Sequence, residues 1–113
     1  MFTWQELLDL KIGWDGESDT PPPTILSIEI AKQIVCDGEK FNLFPEEIDA
    51  DVIGGVAITY SNNGKTIWIS CLNKGYNGYI IYEEGKKIIE SKKYDKDSWS
   101  KILEKLGNKS SLP

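Results

Sequence analysis

Val56-Ala57-Ile58-Thr59-Tyr60, Ser61-Asn62-Asn63-Gly64 and Thr66-Ile67-Trp68-Ile69-Ser70-Cys71-Leu72 form, in succession, the stretch that decides the fold. β-Branched and aromatic residues alternate with small or polar ones on both sides of an Asn-Gly pair. Asn and Gly tolerate positive φ, so the stretch predicts two antiparallel strands joined by a tight turn. Successive side chains in a strand point to opposite faces. Ile67, Ile69 and Cys71 therefore share a face, and it pairs most economically with that of Val56, Ile58 and Tyr60. This aliphatic face is expected to lie under helices. Trp68 then falls on the opposite face beside small residues, with Tyr79 or Tyr82 as its aromatic neighbour.

Downstream, the Gly- and Asn-rich loop from Asn73 to Gly78 leads to a third strand, Tyr79-Ile80-Ile81-Tyr82. A turn at Glu83-Glu84-Gly85 leads to a fourth strand from about Lys86 to Lys92. The period then lengthens to 3.6. Trp99, Ile102, Leu103 and Leu106 form the stripe of a closing helix before Gly107, with Asp95 or Asp97 as its cap. Asn108 to Pro113 read as a frayed tail.

Upstream, Thr3 with Glu6 fits a capping box and Phe2 with Leu7 a hydrophobic staple, predicting a helix over residues 4–11 that stops at Gly13. After Gly13-Trp14-Asp15-Gly16 comes an acidic stretch ending in Pro21, Pro22 and Pro23. Prolines can lead directly into a helix, and one is expected from about Thr24 to Asp37. Ile28, Ala31, Ile34 and Val35 form its buried face, and Gly38 sits where a left-handed cap belongs. Residues 39–51 read as a connection anchored by Phe41, Leu43 and Phe44. The result is an α+β fold with two N-terminal helices, a four-stranded antiparallel meander and a C-terminal helix packed on the sheet. It is expected to form one domain spanning residues 1–113.

Composition removes whole classes of chemistry. The chain has no His, and every one of its 13 cationic side chains is Lys. Without His there is no Ser-His-Asp or Cys-His catalysis, and without Arg no bidentate fork for phosphate or guanine. Cys36 and Cys71 lack metal-ligand spacing and read as small, mostly buried thiols of a reducing compartment. The acidic start carries no secretory pattern and no apolar run approaches bilayer length, so a cytoplasmic protein with no membrane association is expected. The net charge of −5 is uneven. Residues 1–51 hold 12 acids against 3 lysines, net −9, and residues 52–113 hold 6 against 10, net +4.

Asp15, Glu17 and Asp19 alternate like the start of a calcium loop, but the glycine is misplaced and no closing glutamate follows. They are better taken as a solvated acidic contact. Glu46, Glu47, Asp49 and Asp51 could join one of those acids for general acid/base work or Mg²⁺ binding, though paired catalytic acids have no distinctive spacing. Gly54-Gly55 lacks what a phosphate loop needs and reads as close backbone packing at the start of a strand. Lys86, Lys87, Lys92, Lys93, Lys96, Lys101 and Lys105 make the C-terminal quarter basic near Tyr79, Tyr82 and Tyr94. Lysines on an edge strand guard against sheet-to-sheet pairing, and with no arginine, nucleic-acid binding is set aside. Trp14, held between two glycines, reads as a plug at the edge of the core.

The short helix ending in Gly13-Trp14-Asp15-Gly16, the prolines 21–23, the apolar helix and Gly54-Gly55-Val56-Ala57-Ile58 together resemble a small bacterial family of uncharacterised proteins. The resemblance covers roughly residues 3–72. It implies accessory roles such as antitoxin or inhibitor and no catalytic residues. The leading expectation is thus a non-enzymatic protein-binding module, antitoxin-like or a phage-encoded anti-defence inhibitor. It is expected to use no cofactor or metal and to bind another protein through Trp68, Tyr79 and Tyr82, with Asp15, Glu17 and Asp19 as a secondary acidic contact. A carboxylate-dependent Mg²⁺ hydrolase or nuclease is one alternative. A homo-oligomer, most simply a homodimer through the aromatic face, is the other.

Overall fold

The Asn-Gly turn forms as expected. Asn63 and Gly64 take φ of 51° and 76°, joining β2 (Gly55–Asn62) to β3 (Lys65–Leu72) in the register Ile58↔Ile69 and Thr59↔Trp68. The computed structural model describes residues 2–75, 77–91, 93–94 and 97–106. Before the hairpin come α1 (Trp4–Asp9), α2 (Ile25–Glu39) and β1 (Glu47–Ala50); after it come β4 (Asn77–Glu83), β5 (Lys86–Ser91) and α3 (Ser98–Lys105). The five strands form one antiparallel sheet in the order β1-β2-β3-β4-β5.

The α+β class holds, but the sheet has five strands where the pattern predicts four. β1 lies inside the expected connection over residues 39–51. Its one fully core-facing side chain, Ile48, pairs with Ile58, while acids occupy the flanking positions. So short and acidic a segment has little strand preference of its own, and its pairing with β2 makes it a strand.

The capping box on α1 is complete, with the Thr3 hydroxyl accepting from Glu6 N–H and the Glu6 carboxylate from Thr3 N–H. The bond from the Thr3 backbone, then that to its side chain, holds the Glu6 carboxyl below its ordinary range. α1 ends at Asp9, two residues short of the expected end. α2 runs to Glu39, past the expected stop. Gly38 lies within the helix, against the Trp99 ring, and takes no positive φ. The left-handed residue is Asn42, at φ 62°. Leu43 N–H donates to Gly38 O at 3.1 Å and Asn42 N–H to Glu39 O at 2.9 Å, which is the Schellman closure displaced along the chain.

Val56, Ile58, Tyr60, Ile67, Ile69, Cys71, Tyr79 and Ile81 turn to the helix-covered face, each 5% exposed or less. They form one cluster with Leu7, Ile28, Ala31, Ile34, Trp99, Ile102 and Leu106 from the helical segments. Trp99 fastens α3: its Nε1 donates to Ile34 O at 3.1 Å, and its ring meets Tyr60 edge-on at 5.0 Å. Asp97 occupies the N-cap position of α3. Asp95, Lys92, Lys96, Gly107 and the expected frayed tail lie outside the described residues. Among the described residues, no helix is long and apolar enough to cross a membrane.

Candidate functional site

Among the described residues, no helix covers the other face of the sheet. Its central row runs Glu47–Thr59–Trp68–Ile80–Glu90, each residue directly opposite the next. The adjacent row is Asp49–Ala57–Ser70–Gly78. Ala, Ser and Gly give that row almost no side-chain bulk, so Trp68 stands above its surroundings with a hollow on either side. Trp68 is 45% exposed.

On the β4–β5 side the hollow is about 280 Å³, floored by Ser70 and Gly78 and walled by Trp68, Leu72 and Ile80. On the β1 side it is about 530 Å³, bounded by Phe2, Trp14 and Trp68 with Glu47, Asp49 and Asp51 along it. The segments on either side of α1 build the far wall. Phe2 N–H donates to Ile48 O at 2.9 Å, laying the residue beside the outer edge of β1. Trp14 then meets Phe2 edge-on, with centroids 6.2 Å apart. The Trp14 indole is fixed by donation from Nε1 to Pro21 O at 3.0 Å. Gly13 and Gly16, at φ 80° and 96°, make the turn that holds it there. Trp14 is half-buried, so it does seal a margin of the structure, but it also forms a wall of an open hollow.

Trp68 and Tyr82 lie on the open face, Tyr82 through its pairing with Thr66. Tyr79 does not. It pairs with Ile69 and is only 5% exposed on the core side, which corrects its assignment to the contact surface. Asp15, Glu17 and Asp19 sit exposed on the loop around Trp14, and none lines either hollow. Asp15 is engaged locally. Its carboxylate accepts from the Thr20 hydroxyl, then from Glu17 N–H, and both hold its carboxyl below the ordinary range.

Sequence reasoning misses Phe2 and Trp14 as site residues, and takes Glu47, Asp49 and Asp51 only as generic acids. The period-2 placement of Glu47 and Asp49 around Ile48 is the signal that puts both on one face. Asp15 and Asp19 do not line the hollow with those acids. Among the described residues, no three carboxylates or thiols gather closely enough to hold a metal ion.

Cys36 is exposed, contrary to its expected burial, because it lies outside the stripe of α2 that meets the sheet. Cys71 is buried, and burial pushes its thiol up to about 12, so it is neutral and unreactive. Gly54 and Gly55 are the expected close approach. A Cβ at Gly55 would lie 2.2 Å from Cys71 O, and one at Gly54 2.8 Å from the Asn73 amide. That amide ties the region together, donating to Pro22 O at 2.8 Å while its oxygen accepts from Thr24 N–H at 2.7 Å.

No family model, no curated protein and no solved structure matches the chain. The functional reading therefore rests on the residues and their geometry.

Proposed function

We propose that the chain is a non-enzymatic protein-binding module whose contact surface is the open face of the sheet, centred on Trp68. The observation that carries this reading is Trp68 itself, 45% exposed at the middle of a face that no helix among the described residues covers, with a hollow on each side. A large, rigid ring leaves water at little entropic cost, which is why Trp and Tyr dominate interface hot spots. Ile80, Leu72 and Tyr82 extend the apolar surface, and Glu47, Asp49 and Glu90 supply a polar margin. An antitoxin-like or inhibitor role is the particular version we favour, since such proteins act by occupying a partner's surface and need no chemistry of their own.

A photo-crosslinking residue placed at Thr66, beside Trp68 on the same face, should capture a partner in the native host; the same residue at Glu29 on α2 should not. The captured protein, purified and titrated, should bind Trp68→Ala at least ~10-fold more weakly than wild type, within the range for hot-spot truncations. Unchanged affinity for a Trp68→Ala protein that retains its circular dichroism spectrum would overturn the reading.

A further inference from the structure

We infer that the larger hollow, between Trp14 and Trp68, receives an arginine side chain of the partner; this deepens the protein-binding reading and rests on it. The walls are aromatic. Glu47 faces Thr59 and Thr59 faces Trp68, so the β1 acids stand two strand spacings from the indole, roughly 10 Å. A planar cation can therefore lie against the Trp68 ring while its edge reaches the carboxylates.

Charge makes the occupant cationic. Glu47, Asp49 and Asp51 all line the hollow, and among the described residues no lysine lines it and none of the three acids is in an ion pair. One Asp51 oxygen accepts from Ile53 N–H at 2.9 Å, fixing the carboxylate while leaving its second oxygen available. Val52, 60% exposed on the lining of the hollow, offers apolar surface to the stem of an incoming side chain.

Guanidinium suits this site better than ammonium. It stacks flat on indole and spreads five donors around its plane, matching carboxylates that are distributed rather than convergent. The chain contains no arginine, so a second copy cannot supply the group. The occupant has to come from a different protein.

The probe is the blocked tripeptide acetyl-Gly-Arg-Gly-amide, with its citrulline and lysine counterparts, titrated into the full chain by ¹H–¹⁵N NMR. The arginine peptide should move the Trp14 and Trp68 indole N–H signals saturably, with a dissociation constant on the order of 1 mM. Glu47→Gln/Asp49→Asn should weaken it about tenfold, whereas Glu29→Gln/Asp37→Asn, an equal charge change on the helical side, should not. Citrulline or lysine peptides binding as tightly as arginine, or no saturable shift at those indoles, would overturn the assignment. The two readings separate in the partner titration. A partner that tolerates Glu47→Gln/Asp49→Asn but not Trp68→Ala sinks the arginine inference alone, and one indifferent to Trp68→Ala sinks both.

Discussion

Gly38 occupies a helical position where alanine is ordinarily better by about 1 kcal/mol. Here a Cβ would stand 2.8 Å from Trp99 Cζ2, and that ring is held by its bond to Ile34 O and by Tyr60. Overpacking a held ring costs about 1–3 kcal/mol, so the clash outweighs the propensity gain. Gly38→Ala should lower stability in urea by up to about 2 kcal/mol. In a Trp99→Phe background, where the Cζ2 atom is absent, the same change should be neutral or better; a stabilising Gly38→Ala in the wild-type background would refute the packing. The pattern marks Gly38 as a cap because a glycine after a helical stripe usually is one, and only the fold brings Trp99 to it. Trp68, by contrast, is legible, since alternation in the hairpin sends it away from Ile67 and Ile69. Parity also separates the two tyrosines: residues 79 and 82 differ by an odd number and cannot share a face of one regular strand. The pairing of Tyr79 with Ile69 decides which of them is buried.

At the scale of elements, β1 tests how much a tertiary partner can impose. Four residues, two of them acids at alternate positions, form a strand because Ile48 enters the core opposite Ile58 and because Phe2 pairs along the outer edge. The hydrophobic core therefore carries this strand, and its charges contribute little to holding it. Ile48→Ala should cost about 2–4 kcal/mol. Glu47→Gln should change stability by less than about 0.5 kcal/mol, as expected of an exposed charge. Equal losses for the two variants in urea unfolding would mean that β1 is held by its surface rather than by Ile48. The same contrast explains what was readable. The hairpin, the third and fourth strands and the helices announce themselves through period, turn chemistry and caps. β1 is assembled by contact and has no pattern long enough to see, and the larger hollow stays hidden with it. Its walls come from residues 2, 14 and 68, which only the completed sheet edge places together.

Across the whole molecule, every helix stripe and one sheet face share a single core, and that core holds the Cys71 thiol and the Tyr60 phenol in neutral form. Burial pushes the Cys71 thiol up to about 12 from 9.0 and raises the Tyr60 phenol above its usual 10.0, with Glu39 as a lesser influence. A group whose folded pKa is raised lends its full stability below the unfolded pKa and loses it as pH climbs toward the folded value. For Cys71 that window opens near 9 and closes near 12. The loss over it is on the order of 2–4 kcal/mol, and Tyr60 adds to it once pH passes about 10. The Lys87–Glu90 pair, whose hydrogen bond holds the Lys87 ammonium above its ordinary range, also loses its contribution as pH climbs, so the decline of the wild type alone does not isolate the core. Cys71→Ala does. It starts less stable at neutral pH because it leaves a small cavity, yet its urea midpoint should fall less steeply than that of wild type from about pH 8.5 to about pH 10.5. Parallel declines would show that the Cys71 thiol ionises without opening the core, and that the open face of the sheet is less well sealed from the helical side than the packing requires.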